Sequence, residues 1–123
     1  MRNIRKTEAL RGATTVEKDD KEEIDIAILE LFETLVQENR IAEKDILYIM
    51  FTQTSDLRSR NPAAALRSSG YGTAVPLFCS QEVEIDGMMK KVIRMMIIFK
   101  TSNSTKNPVY LRRAANLRPD LIN

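Results

Sequence analysis

The segment Val92-Ile93-Arg94-Met95-Met96-Ile97-Ile98-Phe99 is the most apolar stretch of the chain, and it limits the possible folds more than any other. Its length and its β-branched content fit a strand, and a strand this apolar is expected to be buried on both faces. Arg94 is then the anomaly. A guanidinium keeps its charge at any accessible pH, and burying it without an anion costs several kcal/mol or more. Its surroundings must therefore supply a carboxylate or admit one. Glu82 as a structural ion-pair partner and a bound anion are both open at this level.

The rest of the composition narrows the chemistry. The chain has 123 residues, 43% of them apolar and 29% charged, enough for one domain with a sizeable core. Net charge is +2, from 19 basic and 17 acidic residues, which gives no global field for nucleic acid or an anionic membrane. There is no histidine, so imidazole bases, imidazole metal ligands and histidine-dependent triads are excluded. The lone Cys79 rules out an intrachain disulfide framework, and with no imidazole beside it a catalytic thiolate is not expected. No apolar run reaches the roughly 20 residues of a membrane span. Met1 to Lys6 leads into polar sequence rather than a signal-peptide core, so a cytoplasmic location is expected.

Local patterns predict the elements. Thr7 to Val16 reads as a strand with Arg11 near its end. After Asp19-Asp20, apolar residues Ile24, Ala27, Ile28, Leu31 and Leu35 recur at helical spacing as far as Asn39. A polar connector, Ile41 to Asp45, leads to an apolar strand at Ile46 to Thr52. Asn61-Pro62 followed by Ala63 to Gly70 carries the cap, first-turn proline and terminal glycine of a short helix bearing Arg67. Ala74 to Ser80 reads as a strand whose Pro76 suggests an edge or a bulge. Lys91 to Thr101 and Val109 to Arg113 complete the strands, separated by a loop, and a tail follows. The order β-α-β-α-β-β-β predicts a mixed α/β (α+β) single domain over residues 1–123, with one long and one short helix on one sheet. Residues 1–6 are expected to be flexible.

Sorting the cationic groups by their surroundings separates Arg11, Arg67, Arg94 and Arg118 from those on polar helix faces. With the phenol of Tyr110 they could form a pocket for a small polyanion, a dicarboxylate being the natural guess because the guanidinium fork matches carboxylate geometry. The alternative reading is that these are solvated arginines. The methionines at 88, 89, 95 and 96 read as core filling and strand packing rather than a metal or partner surface, and Gly12 and Gly70 are isolated, so no phosphate-cradling loop exists. Such a pocket suits a reaction needing only positioning and charge stabilisation, such as a pericyclic rearrangement.

The blocks Arg11-Gly12-Ala13-Thr14-Thr15-Val16, Cys79-Ser80-Gln81-Glu82, Lys90-Lys91-Val92-Ile93-Arg94, Val109-Tyr110-Leu111 and Leu117-Arg118-Pro119-Asp120-Leu121 stand in one order over nearly the whole chain. Together they resemble the small single-domain chorismate mutases of the trimeric α/β-barrel class. The resemblance implies a Claisen rearrangement of chorismate to prephenate without cofactor or metal, in phenylalanine and tyrosine biosynthesis. It implies that Arg94 contacts the breaking ether oxygen and a carboxylate, and that Arg11 and Tyr110 hold carboxylates. Glu82 and Cys79 are expected to bond the ring hydroxyl. Arg67 and Arg118 are expected at the mouth, with Leu117, Ala63 and Leu77 lining the pocket and residues 116–123 close to its entrance. It further implies a homotrimer forming a pseudo-α/β-barrel with sites between subunits, and no nucleic-acid or membrane partner. Departures fall at the rim: Asn61 stands where an aromatic is common, Ala64 where lysine is common and Phe78 where threonine is common. Weaker apparent affinity rather than lost chemistry is the expectation. The other readings are a noncatalytic binder of an aromatic dicarboxylate and an imine/enamine deaminase on a similar trimeric fold.

Overall fold

The computed structural model describes residues 4–103 and 105–118. The first three residues and Pro119 to Asn123, which include the end of the Leu-Arg-Pro-Asp-Leu block, lie outside the described residues. The elements are β1 (Lys6–Thr15), α1 (Lys21–Glu38), β2 (Ile46–Gln53), α2 (Pro62–Ser68), β3 (Leu77–Gln81), β4 (Val92–Thr101) and β5 (Val109–Tyr110). Short 3-10 turns occupy Glu43–Asp45 and Arg112–Leu117. The last strand is thus shorter than its sequence suggests: Arg112 adopts φ 55°, which ends the extended backbone and starts a helical turn.

Helix α1 begins where the sequence demands. The Asp20 carboxylate accepts from the Glu23 amide at 3.1 Å, and the Glu23 carboxylate reaches back to the amides of Glu17 and Lys18. Ile24, Ala27, Ile28, Leu31, Phe32 and Leu35 then form its buried face. At about 1.5–3 kcal/mol for each large apolar side chain, that face holds the helix to the sheet far more strongly than its helix propensity could. Helix α2 is capped by Asn61, whose side chain accepts from the amides of Ala63 and Ala64, with Pro62 in the first turn. The loop before it is pinned by Asp19, which accepts from Ser59 Oγ and from the amides of Ser59 and Arg58. Burial alone would raise the Asp19 pKa, but these donors outweigh it and hold the carboxyl below its ordinary range.

The sheet order is β3-β2-β4-β1-β5. Central β4 runs antiparallel to both β1 and β2, while the outer β3 and β5 run parallel to their neighbours β2 and β1. A parallel β2–β3 pair needs a crossover, and the segment holding α2 supplies it. Pro76 lies just before edge strand β3, where its missing amide proton is harmless and its carbonyl accepts from Ile49.

The sheet has one covered face and one open face. Ile93, Met95, Ile97 and Phe99 of β4 and Ile49 and Phe51 of β2 are buried in one core cluster with the α1 residues. The alternate residues face the other way: Met96 is exposed, Ile98 half-buried, and Tyr48 of β2 and Phe78 of β3 are exposed. The apolar β4 is therefore not enclosed on both sides by its own chain. Arg94 belongs to the open set, its side chain 41% exposed. Met96 belongs with it, so only Met95 of that methionine pair fills the core.

Gly12 sets the closest approach between sheet and helix. A Cβ placed there would lie 2.8 Å from a Leu35 methyl, 3.1 Å from a Leu31 methyl and 3.0 Å from the Val109 carbonyl oxygen. The methyls could yield, but the carbonyl belongs to the β5 backbone paired with Gly12. Gly12→Ala is expected to destabilise the fold by about 1–3 kcal/mol through overpacking. The measurement is a lowered urea midpoint at unchanged m value; an unaltered midpoint would contradict the close packing.

Candidate active site

The register of the sheet assembles the site. Thr52 pairs with Arg94, Arg94 with Ala13, and Ala13 with Tyr110. Ser80 pairs with Thr52 on the other side. One row across all five strands therefore reads Ser80, Thr52, Arg94, Ala13, Tyr110. The neighbouring row, two residues along, reads Phe78, Met50, Met96, Arg11. Residues facing each other across neighbouring strands project to the same side, so a polar row and a largely apolar row lie next to each other on the open face.

A cavity of about 350 Å³ lies there, lined by Arg11, Met50, Thr52, Glu82, Arg94, Met96 and Tyr110 together with Gly12 and Met95. Arg11, Glu82, Arg94 and Tyr110, the four residues expected to carry the chemistry, line it together within one chain. Glu82 immediately follows β3, and its amide bonds to the Gln53 carbonyl at 3.0 Å, which continues the β2–β3 ladder and fixes the start of its side chain.

The charge problem posed by Arg94 resolves in a specific way. Its Nε donates to Glu82 Oε1 at 2.8 Å, so the guanidinium is ion-paired within its own chain. The pairing consumes only part of each group. Among the described residues the two terminal nitrogens of Arg94 have no partner, and neither do the side chains of Arg11 and Tyr110. Glu82 Oε2 is buried and also unpartnered. A buried acceptor left without a donor costs roughly 1–3 kcal/mol, and this one belongs to a residue that lines the cavity. Of the two sequence readings of Glu82, the ion pair is present at Oε1, and Glu82 is also among the residues that line the cavity.

The remaining expected residues are not gathered at this cavity. Cys79 pairs with Phe51 and packs toward the core, its Sγ donating to Asn61 Oδ1 at 3.4 Å. It lines a separate cavity of about 220 Å³ with Asn61, Ser80 and Gln81. Ala63 is enclosed in the core at 4% exposure, and Leu77 packs against that core. Arg67 is exposed in the last turn of α2. Leu117 closes the final 3-10 turn and Arg118 follows it, both half-buried and outside the Arg94 cavity. Sequence reasoning missed Met50, Thr52 and Met96. Alternation from Arg94 along β4 could have found Met96, but the residues of β2 required the strand register.

Among the described residues no group of histidine, cysteine and acidic side chains could hold a metal ion, and no helix is long and apolar enough to cross a membrane. Two cations, one carboxylate and a phenol around an apolar floor can bind a compact dianion that also carries a hydroxyl. They can stabilise charge but lack a histidine base. The comparisons with known proteins agree. Chorismate mutase AroH of Bacillus subtilis (strain 168) is 38% identical over 114 residues, covering 91% of this chain and 90% of that protein. Chorismate mutase AroH of Thermus thermophilus is 39% identical over 115 residues, with 91% and 93% covered. The solved structure of a chorismate mutase from Clostridium thermocellum superposes with TM-score 0.80 at 34% identity, over 88% of this chain and 97% of that one. The family model described as chorismate mutase type I matches residues 7–121, so the chain belongs to the type I chorismate mutase family.

Proposed function

We propose that the cavity around Arg94 is where this chain, a chorismate mutase, rearranges chorismate to prephenate. The observation that carries this is one cavity lined by Arg94, Arg11, Tyr110 and Glu82, in which the Arg94 terminal nitrogens, Arg11 and Tyr110 have no partner among the described residues. Chorismate is a dianion with a ring hydroxyl, and its rearrangement breaks an ether C–O bond as a C–C bond forms. No proton, nucleophile or electron has to come from the protein. Arg11 and Tyr110 hold the carboxylates and so favour the folded conformer in which the reacting carbons approach. Arg94, held through its Nε, presents its remaining donors to the ether oxygen and a carboxylate, where negative charge grows in the transition state.

The open sheet face suits a second copy of the chain. Tyr48, Phe78 and Met96 are exposed apolar groups there, surrounding the cavity rather than covered by the chain's own helices. In a homotrimer a neighbouring chain would close the cavity, supplying from its α2 and β3 the groups that one chain holds apart: Arg67, Ala63, Leu77 and Cys79. Arg118 and Leu117 would flank the entrance. The rim positions Asn61, Ala64 and Phe78 then belong to the neighbour's contribution, with Asn61 committed to capping α2 and holding the Cys79 thiol.

Purified protein is expected to consume chorismate and accumulate prephenate with no added metal or nucleotide, at a solution mass of three chains. Unchanged chorismate absorbance would overturn the assignment of the site. Thermal stabilisation by chorismate without turnover would support a noncatalytic binder instead.

A further inference from the structure

We propose that Thr52 is a further substrate-contacting residue, its hydroxyl donating to the ring hydroxyl whose own proton goes to Glu82 Oε2. The inference rests on the chorismate reading above and adds a residue and a polarity to it. Three observations carry it. Thr52 lines the Arg94 cavity from β2, the direct strand neighbour of Arg94. Among the described residues its hydroxyl neither donates to nor accepts from any other group. Along the open face of β2 it follows Tyr48 and Met50, so the strand changes from aromatic and apolar to hydroxylic where the cavity meets Arg94 and Glu82.

The donor and acceptor inventory then fixes the direction of each bond. Glu82 Oε2 can only accept, and it is the buried carboxylate oxygen left without a donor. A ligand hydroxyl placed against it must donate its proton there. That hydroxyl still has lone pairs to satisfy. Arg94 and Arg11 are engaged with carboxylates and the ether oxygen, and Tyr110 is separated from Thr52 by two intervening strands, β4 and β1. In the proposed trimer the neighbouring chain's Cys79 bonds one lone pair, and Thr52 supplies the donor for the other. A hydroxyl bound between an acceptor and a donor is more tightly specified than one bonded to a carboxylate alone, because an analogue lacking it leaves two protein groups unpaired.

Because this contact forms equally with substrate and transition state, its loss acts on KM and spares kcat. Thr52→Val keeps the shape and removes the donor. It is expected to raise KM roughly three- to tenfold, the worth of one neutral hydrogen bond, with kcat within about twofold of the parent. Thr52→Ser keeps the donor and is expected to restore KM. A competitive inhibitor lacking the ring hydroxyl should bind Thr52→Val and the parent equally, whereas one carrying it should lose affinity by the same factor as the substrate. A parental KM in an active, folded Thr52→Val protein overturns the proposal, as does equal loss for both inhibitors. Inactivity of the unsubstituted protein toward chorismate would overturn the site assignment as well, so the two failures are told apart.

Discussion

Arg94→Ala is expected to lower kcat by roughly 10²–10³-fold, the usual cost of removing a preorganised donor aimed at developing charge. The effect should fall on kcat more than KM, because the ether oxygen gains most of its negative charge only in the transition state. Arg94→Lys separates charge from geometry. Lysine keeps a cation but has no counterpart to Nε, so it can pair with Glu82 or reach the substrate but cannot do both in the same fixed plane. Its kcat should fall between those of alanine and arginine. Folding should survive in either variant, since the side chain is 41% exposed and an ion pair this open contributes at most about 1 kcal/mol. Steady-state kinetics with a parallel melting curve test both points. An alanine variant within threefold of the parent kcat would remove Arg94 from the mechanism.

What the sequence makes legible follows from which contacts are local. Helix α1 reads directly from its apolar spacing and from Asp20, and α2 from Asn61-Pro62, because caps and faces are written within a few residues of where they act. The pairing that gathers the site is not written locally. Arg11, Arg94, Thr52 and Tyr110 come from four strands, and their adjacency depends on registers spanning most of the chain. Arg11, Glu82, Arg94 and Tyr110 stood out in the sequence as charged or phenolic groups in apolar surroundings, and the resemblance of their motifs to a known family separated them from Arg67 and Arg118. Thr52, which sits in no such motif, did not stand out. The apolarity of β4 misled in an instructive way. It reads as burial on two faces, yet one chain covers only the Ile93, Met95, Ile97 and Phe99 face and leaves Met96 exposed. A strand with two apolar faces and one covering layer of helix leaves its second face bare, the face that the proposed trimer would cover.

Glu82 should be the second most sensitive position, because its two oxygens serve different partners. Oε1 fixes the Arg94 guanidinium through Nε, while the unpartnered Oε2 awaits a donor from the ligand. Glu82→Ala removes both contacts. At about 1 kcal/mol for the half-exposed ion pair and about 1.5 kcal/mol for the charge-assisted bond at Oε2, the loss is about 2.5 kcal/mol, or roughly seventyfold in kcat/KM. The loss should divide between the constants: a guanidinium free to rotate lowers kcat, and a substrate hydroxyl without its acceptor raises KM. Glu82→Gln divides the same functions more finely. Its amide oxygen can still accept from Arg94 Nε, so kcat should recover substantially. Its NH₂ group would then replace the Oε2 acceptor with a donor, so KM should remain high. An alanine variant whose kcat/KM stays within threefold of the parent would leave the Arg94–Glu82 pair as a surface ion pair with no part in catalysis. Recovery of KM rather than kcat in Glu82→Gln would reverse the assignment of the two oxygens.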